Sequence, residues 1–179
     1  MILERPLAFF GGFIALIFWI VISCIRKKSL SRKILISLFI VYITVVASIT
    51  IFPIIMDSEM VIEHKSINLI PFSTITNLFA NANLSTVILQ VFGNILMTIP
   101  YGVAIPLLVK RKRWYHYVIY ALIFPLIIEL TQLIICLSIN SFYRTIDIDD
   151  VILNSLGIVI GYGIYKILPK FVKNYFENK

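Results

Sequence analysis

Long uncharged stretches alternate with short charged clusters along the whole chain. Residues 7–25 and 34–56 carry no charge, and neither do residues 84–109. Residues 114–139 hold one carboxylate, and residues 151–168 one lysine near their end. A helix needs about 20 apolar residues to cross a hydrocarbon core of about 30 Å. The pattern therefore predicts five membrane-spanning helices. Pro53, Pro100, Pro106 and Pro125 fall inside these spans, where neighbouring helices can satisfy the backbone groups that proline frees. Residues 66–83 are the least regular part. Within them Ile75, Leu78 and Phe79 have helical spacing, which predicts a short helix lying on the outer leaflet.

Composition agrees with the pattern. With 60% hydrophobic and 14% charged residues and a mean hydropathy of +0.97, the chain is far from a soluble globule. No linker-like run divides it, so residues 1–179 read as a single membrane domain. A net charge of +7 would suggest nucleic acid in a soluble protein. Here the positions of the charges decide otherwise, and membrane lipids rather than nucleic acid are the expected surroundings. Five basic residues lie between Arg26 and Lys33, four between Lys110 and Arg113, and four from Lys166 onward. These three clusters share one side of a five-span topology and hold 13 of the 16 basic residues. The other side has only Arg5, Lys65 and Arg144, together with seven of the nine acids. Lysine and arginine mark the cytoplasmic side. The expected fold is thus an all-α polytopic helical bundle in a membrane, with its N-terminus outside and its C-terminus cytoplasmic.

Smaller features fit this reading. Val21-Ile22-Ser23-Cys24 has the loose shape of a lipoprotein processing site, but Arg26-Lys27-Lys28 follow at once, so the first span is expected to be kept. Cys24 and Cys136 fall near opposite faces of the membrane, beyond disulfide reach. His64 and His116 are separated likewise, so no histidine metal site is expected. Tyr101, Trp114, Tyr115 and Tyr117 read as interfacial aromatics.

Polar residues inside the spans carry the chemistry, because they are costly there. Glu129 and Gln132 are one turn apart on the fourth span and share a face. Glu129 lies ten residues from Ile139, roughly 15 Å along the helix axis. The third span runs the other way and carries Gln90 and Asn94, with Asn94 at a similar depth. Pro125 leaves the Ala121 carbonyl without its helical donor. On the fifth span, taken to begin near Ile146, Asp147, Asp150, Asn154, Gly157 and Gly161 fall on one stripe. Gly157 and Gly161 form a GxxxG pair, which lets a neighbouring helix approach closely. Arg144 precedes them as the expected counter-charge for Asp147 or Asp150. The alternative reading of Asp147, Asp149 and Asp150 is a solvated loop and helix N-terminus, where carboxylates favour the dipole.

At these residues the chain resembles the VanZ-like family of bacterial membrane proteins. The resemblance rests on Asn68-Leu69-Ile70-Pro71-Phe72, on Gly93-Asn94-Ile95 through Ile99-Pro100-Tyr101-Gly102, and on Glu129-Leu130-Thr131-Gln132. Its longest stretch runs from Arg144-Thr145-Ile146-Asp147 to Asn154-Ser155-Leu156-Gly157. It covers roughly residues 66 to 165, and the first two spans match only as hydrophobic segments. The resemblance implies an integral membrane protein associated, in the family's namesake, with resistance to teicoplanin-type glycopeptide antibiotics. It also implies that Asn68, Asn94, Glu129, Gln132, Arg144, Asp147, Asp150 and Asn154 matter to function.

Three functions suit these residues. The first is an outward-facing polar pocket for a lipid-like or cell-wall-related ligand, such as a lipoglycopeptide, with no catalysis and no cofactor. The second is a membrane enzyme acting on a lipid-linked substrate through Glu129, Asp147 and Asp150, which could hold a hard divalent cation or supply a general base. The chain offers no Ser/His or Cys/His set and no phosphate-binding glycine loop for that role. The third is a small transporter with Glu129 as a proton relay, which would need oligomers at five spans.

Overall fold

The computed structural model describes residues 2–55, 67–109, 113–140 and 143–177. Of the charges that orient the chain, Asp57, Glu59, Glu63, Lys65, Lys110, Arg111, Lys112 and Lys179 lie outside the described residues, as do Met56 and His64. Five helices are long and apolar enough to cross a membrane. Helix α1 (Pro6–Ile25) opens with proline at its first position, where no backbone donor is lost. It packs chiefly on α2 (Leu30–Thr50) and exposes Phe10, Phe13 and Phe18. Such an apolar surface suits lipid rather than water.

The second helix differs from the expected span at both ends. It begins at Leu30, so its first turns include Arg32 and Lys33. It stops at Thr50 because Pro53 has no N–H to give the Ile49 carbonyl. Pro53 thus ends this span rather than lying within it. Beyond it, β2 (Ile54–Ile55) pairs antiparallel with β1 (Ile2–Leu3). A second two-stranded pair is parallel, β3 (Ile67–Asn68) beside β4 (Ile146–Asp147). It sets Asn68 against Asp147.

The expected surface helix is α3 (Ser73–Asn81). Its Ile75 and Leu78 pack on Val87, Val91 and Leu153, whereas Phe79 points away and is exposed. The third span is continuous over Leu84–Leu108. It comprises α4 (Leu84–Val87), a π-helical turn (Ile88–Phe92) and α5 (Gly93–Leu108). Asn83 caps its start by accepting from the Thr86 N–H at 2.8 Å. Pro100 and Pro106 lie inside α5, and Pro125 inside α6 (Trp114–Ser138). The Ala121 carbonyl that Pro125 leaves free accepts the Ser155 hydroxyl at 2.9 Å. At the opposite end from Thr50, the last carbonyls of α5 receive Arg32, with Nη1 to Leu107 at 3.0 Å and Nη2 to Leu108 at 2.7 Å. A residue in a basic cluster is therefore also a helix cap.

Helix α7 (Ile148–Ile167) starts two residues later than expected, because Asp147 is extended and caps it by accepting from the Asp149 N–H. Its glycine face lies directly on α5. A Cβ on Gly157 would collide with the Ile95 carbonyl and the Thr98 hydroxyl, and one on Gly161 would sit 2.9 Å from Gly102 Cα. Thr98, fully buried, donates across this crossing to the Asn154 carbonyl at 2.8 Å. Below it Tyr101, Ile105, Ala121 and Ile158 form a core cluster with Phe39 and Tyr42 against it. Tyr101, expected at the interface, stacks on Phe124 at 3.9 Å between ring centres and is buried. A short α8 (Lys170–Glu177) follows Pro169. Cys24 and Cys136 are both free.

The crossing sets a test with an internal control. Gly161→Leu should cost about 1–3 kcal/mol or more by overpacking. Gly163→Leu, at a position with open space around its Cβ, should change stability by no more than about 0.5 kcal/mol. Unfolding midpoints in detergent micelles would measure both. Equal losses would mean that the crossing is not the tightest contact.

Candidate functional site

Both strand pairs, the end of α2, the end of α6 and the starts of α4 and α7 meet at one end of the bundle. A cavity of about 450 Å³ lies there. Helix α3 contributes Thr74, Ile75 and Leu78, and the third span contributes Leu89, Gln90 and Asn94. Gln132, Arg144, Thr145, Asp147, Asp149, Asp150 and Leu153 complete it. Its lining mixes polar side chains with the aliphatic Ile75, Leu78, Leu89 and Leu153. Gln90 sits within the π-helical turn, a distortion often found at functional positions.

The third span is tied to the fifth by Asn94, whose Nδ2 donates to Asp150 Oδ1 at 2.6 Å. Glu129 does not line the cavity but stands one bond behind it, with Oε2 accepting from the Asp147 N–H at 3.1 Å. Asp147 Oδ1 in turn accepts from Asn68 Nδ2 at 3.0 Å and from the Asp149 N–H at 2.9 Å. Asn68 also donates to Thr74 Oγ1 at 2.9 Å, which fixes the parallel strand pair to α3. Glu129, Gln132, Asp147 and Asn154 are all buried. Each buried carboxylate needs donors to offset its lost hydration, and here most are main-chain N–H groups.

Arg144 departs from its expected role. Its Nη2 donates to the carbonyls of Ile49 at 2.9 Å and Phe52 at 3.0 Å rather than to a carboxylate. Pro53 has deprived Ile49 of its helical donor, and the guanidinium fills the gap. Gln132 Nε2 meets the Thr50 carbonyl at 2.6 Å, and the Tyr143 hydroxyl meets that of Ile51 at 3.0 Å. These three side chains cap α2 together. Burial lowers the Arg144 guanidinium from its ordinary value and raises the Tyr143 phenol. Arg144 nevertheless lines the cavity beside Asp147 and Asp150.

The remaining residues divide by role. Asn154 is 2% exposed and uses its main-chain carbonyl on Thr98, while its Oδ1 has no partner among the described residues. Gly157 and Gly161 belong to the helix crossing, away from the cavity. Among the described residues, no three His, Cys, Asp or Glu side chains are grouped as a metal ion would require.

Asp149 belongs to the acidic run whose alternative reading was a solvated helix start. It is 1% exposed. Its Oδ1 accepts from the Phe72 N–H at 2.5 Å and its Oδ2 from the Ile75 N–H at 3.0 Å. Helix α3 has Phe72, with φ 64°, at its cap position and no side-chain cap of its own. No signal in the sequence pointed there, because Ser73 and Thr74 offer themselves as N-cap residues. Asp149→Ala should strand two donors, at about 1–3 kcal/mol each. Asp149→Asn, which retains one acceptor, should fall between that variant and the parent. Faster amide hydrogen exchange in residues 72–81 is the expected signature, and unchanged exchange would show that α3 is held by its apolar contacts alone.

Comparison with known proteins adds one result to this geometry. A family model described as VanZ/LLP1 matches residues 39–169. It begins within α2 and so takes in Phe39 and Tyr42, which pack on the Tyr101 cluster. No curated protein and no solved structure matches the chain. The match spans the helix crossing and every residue of the polar cavity, and the chain belongs to the VanZ/LLP1 family of membrane proteins.

Proposed function

We propose that the polar cavity holds the headgroup of an acyl-bearing amphiphile that enters from the outer leaflet of a bacterial plasma membrane. Retaining a teicoplanin-type glycopeptide in this way would give low-level resistance to it. The observation that carries the reading is the Asn94–Asp150 contact set in a cavity lined by both polar and aliphatic side chains. Asp150 and Gln90 suit an ammonium or hydroxyl group, and Arg144 suits a carboxylate or phosphate. Leu89, 74% exposed, Leu78 and Leu153 offer an apolar path for an acyl tail. The side of the membrane is read from the sequence, in which 13 of the 16 basic residues fall in the three clusters assigned to the cytoplasmic side.

The binding reading is favoured over the enzymatic one by what the acids already do. One oxygen of Glu129, one of Asp147 and both of Asp149 accept main-chain donors, so these groups brace the cavity rather than converge on a reacting atom. Asp150 is left as the carboxylate that faces the cavity through a side-chain contact alone.

Two charge-removing variants test this in a susceptible host. Asp150→Asn keeps an acceptor for Asn94 but removes the charge that a cationic headgroup would meet. Loss of a charged hydrogen bond, about 1.5–3 kcal/mol, should weaken binding about tenfold or more. The parent should lower sensitivity to a lipoglycopeptide, and Asp150→Asn should lose that protection while reaching the membrane at normal levels. Glu129→Gln, which can still accept from the Asp147 N–H, should lose it too if the Glu129 charge sets the potential of the cavity. Full protection by Asp150→Asn would remove that residue from the site. No protection by the parent would refute the resistance role.

A further inference from the structure

At the opposite end of the bundle the chain builds a second cleft, of about 370 Å³, where α7 gives way to α8. Lys166, Lys170 and Lys173 line it with Tyr117, Tyr162 and Tyr165, and no carboxylate among the described residues does. Two of the lysines are held in place. Lys173 Nζ donates to the Lys166 carbonyl at 2.9 Å and lies 4.9 Å from the centre of the Tyr165 ring. Lys166 Nζ lies 5.1 Å from the centre of the Tyr162 ring. Three ammonium groups around one space repel each other unless an anion enters it.

A separate apolar cavity of about 150 Å³ adjoins this cleft. Gly102, Ile105, Val118, Ala121, Ile158 and Val159 form it between α5, α6 and α7. The two spaces share Tyr117 and Tyr162, whose rings stack at 4.6 Å. Beside the cleft, Phe171 and Tyr175 are exposed one turn apart on α8, as on a helix that lies at a membrane surface.

We propose that the lysine cleft binds the phosphate headgroup of an anionic phospholipid from the leaflet at this end, with an acyl chain in the apolar cavity beyond the Tyr117–Tyr162 pair. A basic site joined to an apolar slot fits a lipid, whereas a free phosphate would use only the first half. The helix end, the lysines and the two tyrosines then form one lipid-anchored unit.

The full-length protein in mild detergent, titrated with equal amounts of phosphatidylglycerol and phosphatidylcholine of matched chains, tests the proposal by native mass spectrometry. The parent should carry phosphatidylglycerol at least about fivefold more often, as three lysines near an anionic headgroup would favour. Lys170→Gln, which removes neither the Lys166 carbonyl contact nor a ring contact, should reduce the preference. Adding Lys166→Gln and Lys173→Gln should abolish it. Val159→Trp, which fills the apolar slot, should weaken both lipids. Lys27→Gln with Lys28→Gln removes two charges from the same side of the membrane and should leave the preference intact. An absent preference in the parent, or an equal loss from the Lys27 and Lys28 changes, would overturn the proposal. So would displacement of phosphatidylglycerol by inorganic phosphate alone, which would point to a soluble anion.

Discussion

A bilayer core offers no water, so each carbonyl released where a helix stops or a proline interrupts it must find a donor elsewhere in the chain. Much of the tertiary structure of this protein follows from that demand. At the end of α2, Arg144 serves Ile49 and Phe52, Gln132 serves Thr50 and Tyr143 serves Ile51. At the far end of α5, Arg32 serves Leu107 and Leu108. In mid-span, Ser155 serves the Ala121 carbonyl that Pro125 leaves open. Each bond joins elements distant in sequence, so satisfying the backbone also fixes how the helices stand against each other.

The same logic explains the double character of the polar end. Read as charges, Glu129 and Asp147 look like part of a reactive set and Asp149 like part of a solvated helix start. Bonded to the N–H groups of Asp147, Asp149, Phe72 and Ile75, they instead hold α3, the parallel strand pair and the start of α7 in register. The close approach of Gly157 and Gly161 to α5 then brings Asp150 against Asn94. A cavity lined by polar and aliphatic side chains results from this bracing.

The spans were legible in the sequence because the membrane imposes a length and a polarity that single residues report. The ends of the third and fourth helices lie within a residue of the expected ones. The second helix departs from expectation because Pro53 acts as a terminator rather than a tolerated interruption. The glycine stripe was also visible, since spacing along a helix maps directly onto a face. What could not be read were the tasks of Arg32, Tyr143, Arg144 and Asp149. Their partners are main-chain groups, which are the same at every position and leave no mark on composition or spacing. Tyr101 was misplaced for a related reason, because an aromatic near a span end has the same pattern whether it faces headgroups or stacks on Phe124.

The central claim is that the cavity opens outward and takes an acyl-bearing ligand. Gln90 faces that cavity from the π-helical turn, so a lone thiol placed there reports on both parts. With Cys24 and Cys136 replaced by serine and alanine, Gln90→Cys should react with a membrane-impermeant thiol reagent in intact cells. A lipoglycopeptide should slow that reaction, and the same glycopeptide without its acyl chain should slow it less. Reaction only after the cells are opened, or equal rates with and without the lipoglycopeptide, would contradict the claim.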